Sequence, residues 1–281
     1  MVFTIIYIYC MPVTGQKYVV FDLDETIGHF YLIRLIWESI SEFIRFNNIP
    51  YTLSQHDFNL LINIYPEVLR PDILTILLSL KRKKSQGICK GVMIYTNNKY
   101  PSDWVYMILN YIEQRLGGGI FDKTVLAFKL DGETQEPCRT STDKILGDLI
   151  RCCKLPSNIK LCYFDDTEFP EMYEDNVYYW KLKPYYYYYT EKVIKTRMFM
   201  SDILNNILFK GTVPVEVLDV NKSLFINYMS KFLELKNILY KEKETLDYEM
   251  DKIVSKRIMT HLNIFFNKFV SQQLLRSIEN S

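Results

Sequence analysis

Short apolar runs alternate with longer amphipathic stretches along this 281-residue chain. Tyr18-Val-Val-Phe21 is apolar throughout and ends in Asp22-Leu-Asp24, as expected of a strand buried on both faces with carboxylates at its C-terminal end. Similar runs predict strands over 91–96, 125–128, 159–164 and 177–182, the fourth of these five ending in Asp165-Asp166. Between them, apolar residues recur at helical spacing over 31–47, 54–64, 102–116 and 142–153, the last with Ser141 or Thr142 as cap. A further helix is predicted to open at Arg70-Pro71, with proline at N1, and to end in the solvated basic cluster Lys81–Lys84. Strands separated by helices imply an α/β fold with a doubly wound parallel sheet. Gly117-Gly-Gly119 lacks a following Lys-Ser/Thr and reads as a turn, not a phosphate loop.

Residues 191–281 are helical by period, with an interruption near Gly211–Pro214 and either a solvated face or a helix joint at Lys241–Glu244. The expected organisation is a lead-in over 1–16, an α/β domain over 17–190 with a small helical insertion at 29–68, and a helical C-terminal extension over 191–281. The five tyrosines 185–189 lack interleaved basic residues. They read as an edge segment packing on the C-terminal helices rather than a stacking platform. Apolar positions such as Leu233, Leu239, Leu262 and Phe265 predict buried faces in the extension, with dimerisation as the alternative.

Composition narrows the partners. Thirty-four basic residues against 33 acidic ones give a net charge of +1, so no broad basic field exists to hold nucleic acid or an anionic membrane. The apolar stretch Val2–Met11 is too short to span a bilayer and has no basic flank; a lead-in strand, or residues ahead of an alternative start at Met11, is expected over a signal peptide. The six cysteines form no Cys-x-x-Cys and do not cluster with the three histidines, which argues against structural zinc. Adjacent Cys152 and Cys153 do not suggest a disulfide framework. Free thiols, and with them a cytoplasmic or nuclear location, are expected.

In an open α/β sheet, ligands bind beyond the carboxyl ends of the strands. Asp22, Asp24, Thr96, Lys144, Asp165 and Asp166 all fall at such ends or on segments that can face them. Converging carboxylates repel unless a hard cation such as Mg²⁺ joins them, and that cation draws in phosphate. One carboxylate can then attack phosphorus, a second can shuttle the proton, and a hydroxyl and an ammonium can hold the phosphoryl oxygens.

Asp22-Leu-Asp24-Glu-Thr26 resembles motif I of the haloacid-dehalogenase phosphohydrolases, Asp-x-Asp-x-Thr. Phe21–Ile27, Leu69-Arg70-Pro71 and Ile94-Tyr95-Thr96-Asn97 are similar to its CTD-phosphatase branch (NLI-interacting-factor-like), and Phe164-Asp165-Asp166 looks like motif IV. Finer features, among them Tyr95–Asn98 and Cys138-Arg-Thr140, resemble variants from large DNA viruses and protists. The likeness covers about residues 17–184. It implies a Rossmann-like sheet and an Mg²⁺-dependent phosphatase working through an aspartyl-phosphate. Asp22 would be the nucleophile and Asp24 the general acid/base. Thr96 would bind phosphate, with Asn97 as a further substrate contact; Arg70 reads either as structural, pairing with a nearby acid at a helix start, or as a substrate contact. Asp22, the Asp24 carbonyl, and Asp165 or Asp166 would hold the metal. Lys144, with Lys129 as rival, would be the motif III lysine. A small insertion at 29–68 would leave the site open to a phosphoserine or phosphothreonine protein. A phosphatase for a small metabolite or nucleic-acid end, and a non-catalytic binding module, are the alternatives. The oligomeric state is not legible.

Overall fold

The computed structural model describes residues 15–208 and 215–267. The expected lead-in, apart from its last two residues, and the interruption at Gly211–Pro214 lie outside the described residues. Strands β1 (Gln16–Phe21), β2 (Gly91–Tyr95), β3 (Phe121–Val125), β6 (Ile159–Asp165) and β7 (Val177–Lys181) form one parallel sheet in the order β3-β2-β1-β6-β7. The chain winds outward from β1 to β3, then returns to the other side of β1 for β6 and β7. The order therefore reverses between β1 and β6. A two-stranded hairpin, β4 (Lys129–Leu130) with β5 (Glu133–Thr134), stands apart.

Period-2 alternation in the strands builds two cores. Val19, Phe21, Val92, Ile94, Cys162 and Phe164 face one cluster; Val20, Met93, Tyr95, Leu161 and Tyr163 face the other. The first face carries α1 (Tyr31–Phe46), α2 (Gln55–Ile64), α3 (Ile73–Ser85) and α4 (Ser102–Leu116). The second is covered by the short α5 (Leu146–Cys153) and the turn around Met172. The layers are thus unequal.

Helices α6 (Glu191–Phe199), α7 (Asp202–Leu208), α8 (Val215–Leu235) and α9 (Thr245–Asn267) extend the larger core. Phe225, Met229 and Leu233 of α8, and Leu262, Phe265 and Phe266 of α9, join the same buried cluster as β1 and α1. Lys17 Nζ donates to the Phe266 carbonyl at 2.8 Å and Ser255 Oγ to that of Pro71 at 2.6 Å, tying α9 to both β1 and the entry of α3. Lys241–Glu244 is a joint between α8 and α9. In the tyrosine run, Tyr185, Tyr187 and Tyr189 point inward while Tyr186 is exposed, as extended chain requires.

Four local expectations are corrected. The third strand is Phe121–Val125, not 125–128, because an edge strand with Asp122 and Lys123 exposed lacks a continuous apolar signature. Helix α5 starts at Leu146, since Asp148 accepts from the Thr140 and Ser141 amides and holds 140–145 as a loop. Helix α3 starts at Ile73 behind Asp72 at φ 59°, so Pro71 precedes the helix instead of occupying N1. The Lys81–Lys84 cluster is not merely solvated: Lys81 donates to the Leu116 and Gly117 carbonyls and Lys84 to Gly119 and Ile120, closing the end of α4.

A Cys138–Cys152 disulfide overturns the expectation of free thiols at those two positions, while Cys89, Cys153 and Cys162 are free and buried. Adjacent Cys152 and Cys153 leave α5 in different directions, one toward the 138 loop and the other, buried and free, into the core. The bond removes the ground on which an intracellular location was expected. It closes a loop across a separation of 14 residues. Reduction is therefore expected to cost about 3 kcal/mol of unfolding free energy, the chain-entropy value for a loop of this size. Urea midpoints with and without dithiothreitol check this, and in Cys138→Ser the reductant should add nothing. Among the described residues no helix is long and apolar enough to cross a membrane.

His261 on α9 bonds the Tyr178 hydroxyl of β7, and burial, with a smaller effect of Arg257, lowers its pKa to about 3. The unfolded chain then binds a proton that the fold refuses between about pH 6.5 and 3. Stability contributed here is present above the unfolded value and is lost as pH falls through that window. Urea unfolding at stepped pH should show this slope, and His261→Gln should flatten it.

Candidate active site

β1 ends at the point where strand order reverses, and the chain there turns sharply. Glu25 sits in the left-handed region at φ 54°, Ile27 N donates to Leu23 O, and Glu25 N donates to Gly28 O. Gly28 is required by close approach: a Cβ would lie 2.5 Å from the Val68 carbonyl. Arg70 holds this loop from behind. It is buried, with Nε donating to Thr26 O and Nη2 to Glu25 O and Lys183 O. Arg70 does not line the cavity in front of the loop, so it takes the structural role and not the substrate contact: Nε and Nη2 hold main-chain carbonyls rather than an acid.

The loop places Asp22 and Asp24 in a cavity of about 480 Å³. Thr96, Asn97, Lys144, Asp165 and Asp166 also line it, so all the predicted site residues except Arg70 converge. Lys129, the rival lysine, lies on the exposed hairpin. Lys144 is buried, with Nζ 2.5 Å from Asp22 Oδ1 and 2.7 Å from Asp165 Oδ2. Burial alone would lower its pKa, but Asp22 and Asp165 together raise it above the ordinary lysine value, so it stays charged. Asp165 is further occupied by the Tyr163 hydroxyl and by the Thr167 amide at 2.8 Å. Asp166 engages one oxygen, Oδ1, with Thr26 Oγ1 at 3.1 Å.

Carboxylates outnumber cations here. Burial raises Asp22 well above the usual carboxylate range, with Asp165 and Asp24 adding to it and Lys144 only partly opposing. Burial also raises Asp24, though Asn98 Nδ2, donating to Asp24 Oδ2 at 2.7 Å, works against the shift. Burial and Asp165 raise Asp166. Glu25 reaches about 8 through burial and the neighbouring Asp24 and Asp166. Ligand oxygens of Asp22, Asp165 and Asp166 lie within 4.8 Å of one another. An all-oxygen donor set with excess negative charge fits a hard divalent cation and not zinc.

Several residues of the site receive no role from the sequence, Arg139 and Asn98 only belonging to segments that carry the resemblance. Arg139, buried, donates from Nη1 to Asn97 Oδ1 and the Leu126 carbonyl at 2.8 Å, and from Nη2 to the Thr142 and Asp143 carbonyls at 3.1 Å. It thereby locks the end of β2 to the loop that delivers Lys144. Asn98 orients Asp24. Phe30, Tyr31 and Arg34, from the entry and first turn of α1, form one wall, with the Arg34 guanidinium 4.0 Å from the Tyr100 ring centroid. The helical period of α1 sets Tyr31 and Arg34 on one face, but nothing in it points to Tyr100. His29 is packed, its Nδ1 3.0 Å from the Tyr187 carbonyl.

Comparison with known proteins finds no match to a family model, to a curated protein or to a solved structure.

Proposed function

We propose that the chain is a metal-dependent phosphatase of the haloacid-dehalogenase type, acting through an aspartyl-phosphate on phosphoserine or phosphothreonine in a protein. One observation carries the reading: Asp22, Asp24, Thr96, Lys144 and Asp166, from separate segments of the chain, meet around one cavity at the switch point of a parallel sheet.

Asp22 is the nucleophile. Its carboxylate oxygen forms a bond to phosphorus as the bond from phosphorus to the serine or threonine oxygen breaks. Asp24 gives its proton to that leaving oxygen, and the raised pKa suits a carboxyl that starts protonated. Ionised Asp24 then takes a proton from water as the water oxygen attacks phosphorus. Phosphate leaves, and Asp22 is regenerated. Lys144 offsets negative charge as it builds, and the Thr96 hydroxyl and Asn97 hold phosphoryl oxygens. Asp22, the Asp24 carbonyl and Asp166 would hold Mg²⁺, which supplies charge neutralisation for the phosphoryl group and keeps Asp22 ionised. Asp166 is assigned over Asp165 because Asp165 is already engaged by Lys144, Tyr163 and Thr167.

A protein substrate is supported by the shape of the entrance. Of the insertion at 29–68, only Phe30, Tyr31 and Arg34 line the cavity; α2 packs against α4 and α7. The volume also falls within the roughly 300–1,000 Å³ typical of small-ligand sites, which favours a small phosphate ester as the second reading.

Hydrolysis of p-nitrophenyl phosphate with and without Mg²⁺ tests the reaction, and phosphopeptides against metabolite phosphates test the substrate. Mg²⁺ at a hundredfold excess over its Kd should stabilise the protein by about 2.7 kcal/mol, and Asp166→Asn should remove most of that. Turnover indifferent to chelator and to Asp166→Asn would overturn the metal assignment.

A further inference from the structure

The catalytic cavity does not end at its own walls. Tyr31, 41% exposed, lines it and also lines a second cavity of about 230 Å³. That second cavity is floored by Leu32 and Ile194 and closed by Ile238 and Leu239 from the joint between α8 and α9. Tyr188 forms a further wall, its ring packed edgewise on His29 at 5.3 Å between centroids. Leu239 is 57% exposed at the mouth.

Its chemistry excludes a phosphate or another ion. Among the described residues no Asp, Glu, Lys or Arg lines it, and burial lowers the pKa of its histidine, His29. An ion entering would lose its hydration with no opposite charge on the lining to offset it. It is also smaller than the roughly 300 Å³ at which small-ligand sites begin, so it suits one large apolar side chain better than a whole ligand. Because Tyr31 lines both cavities, the second lies beside the site where a phosphorylated residue would sit.

We propose that the cavity between Tyr31, Tyr188, Ile194, Ile238 and Leu239 is a specificity subsite that takes a large apolar side chain flanking the phosphorylated residue of a polypeptide substrate. The inference rests on the phosphatase reading and deepens it. It gives the C-terminal extension a part in substrate choice, because Ile238 and Leu239 belong to that extension and not to the sheet.

The test uses phosphoserine peptides in an alanine-rich background, each with one tryptophan placed within about three residues on either side. In the full chain with Mg²⁺, the best tryptophan peptide should exceed the all-alanine peptide by about tenfold in kcat/KM, and the ratio should fall close to one in Leu239→Lys and in Tyr188→Ser. Each ratio is internal to one protein, so a general loss of activity does not mimic the result. Turnover of all peptides at equal efficiency in the wild type would overturn the subsite and leave the phosphatase reading standing. Should no peptide turn over, the protein-substrate assignment fails, and fluorescence anisotropy with the same peptides on Asp22→Asn protein still decides the cavity. A tryptophan preference abolished by Leu239→Lys supports it; equal binding overturns it.

Discussion

Asp22→Asn should lower Mg²⁺-dependent hydrolysis of p-nitrophenyl phosphate by on the order of 10⁴-fold, because the amide has no nucleophilic oxygen to form the aspartyl-phosphate. The same change should leave the fold intact and make it somewhat more stable at neutral pH. Burial, with Asp165 and Asp24 adding to it, raises the pKa of the Asp22 carboxyl far above its ordinary value, so ionising it costs the folded state free energy that asparagine does not incur. Lys144 keeps Asp165 as partner. Activity and stability therefore move in opposite directions, as expected of a group retained for chemistry rather than for folding. Paired rate measurements and urea melts on the two proteins check this. A variant that is destabilised and still active would place Asp22 in the structure and not in the reaction.

Lys144→Met should do the reverse for stability. Its ammonium is buried and neutralises two carboxylates, and removing one partner of a buried ion pair costs about 3 to 5 kcal/mol. Turnover should be lost as well, since Lys144 is the buried cation set directly against Asp22, where the phosphoryl charge builds. The stability deficit should depend on pH. A carboxyl whose folded pKa lies above its unfolded one destabilises the fold as pH rises from the unfolded value through the folded one. Lys144 opposes that effect at Asp22, so its loss steepens the slope. The gap between wild type and Lys144→Met should therefore be widest near pH 8 and narrow toward pH 5, as the carboxyls take up protons. Urea midpoints across that range measure it. An equal gap at both ends would show that the ammonium does not govern the ionisation of Asp22.

What the sequence alone determined is whatever depends on local pattern. The runs at 18–21, 91–95 and 159–165 are apolar on both faces, so they had to be interior strands, and their acidic or hydroxyl termini had to project from the carboxyl edge. The spacing of acids, threonine and lysine along successive strand–loop units was legible for the same reason. Edge elements were not: β3 sets two consecutive exposed charges, Asp122 and Lys123, between half-buried Phe121 and Thr124, and an apolar strand signature never develops there. The roles of Arg70 and Arg139 were decided only by tertiary structure. A guanidinium carries the same sequence signal whether it meets a phosphate or a set of main-chain carbonyls, and only the packed loops turned these donors inward. The Cys138–Cys152 bond, the joining of α8 and α9 to the main core, and the cavity that Leu239 shares with Tyr31 likewise depend on contacts between distant segments. Local periodicity constrains which face of an element is apolar; which distant surface covers that face is set by the packing of the whole chain.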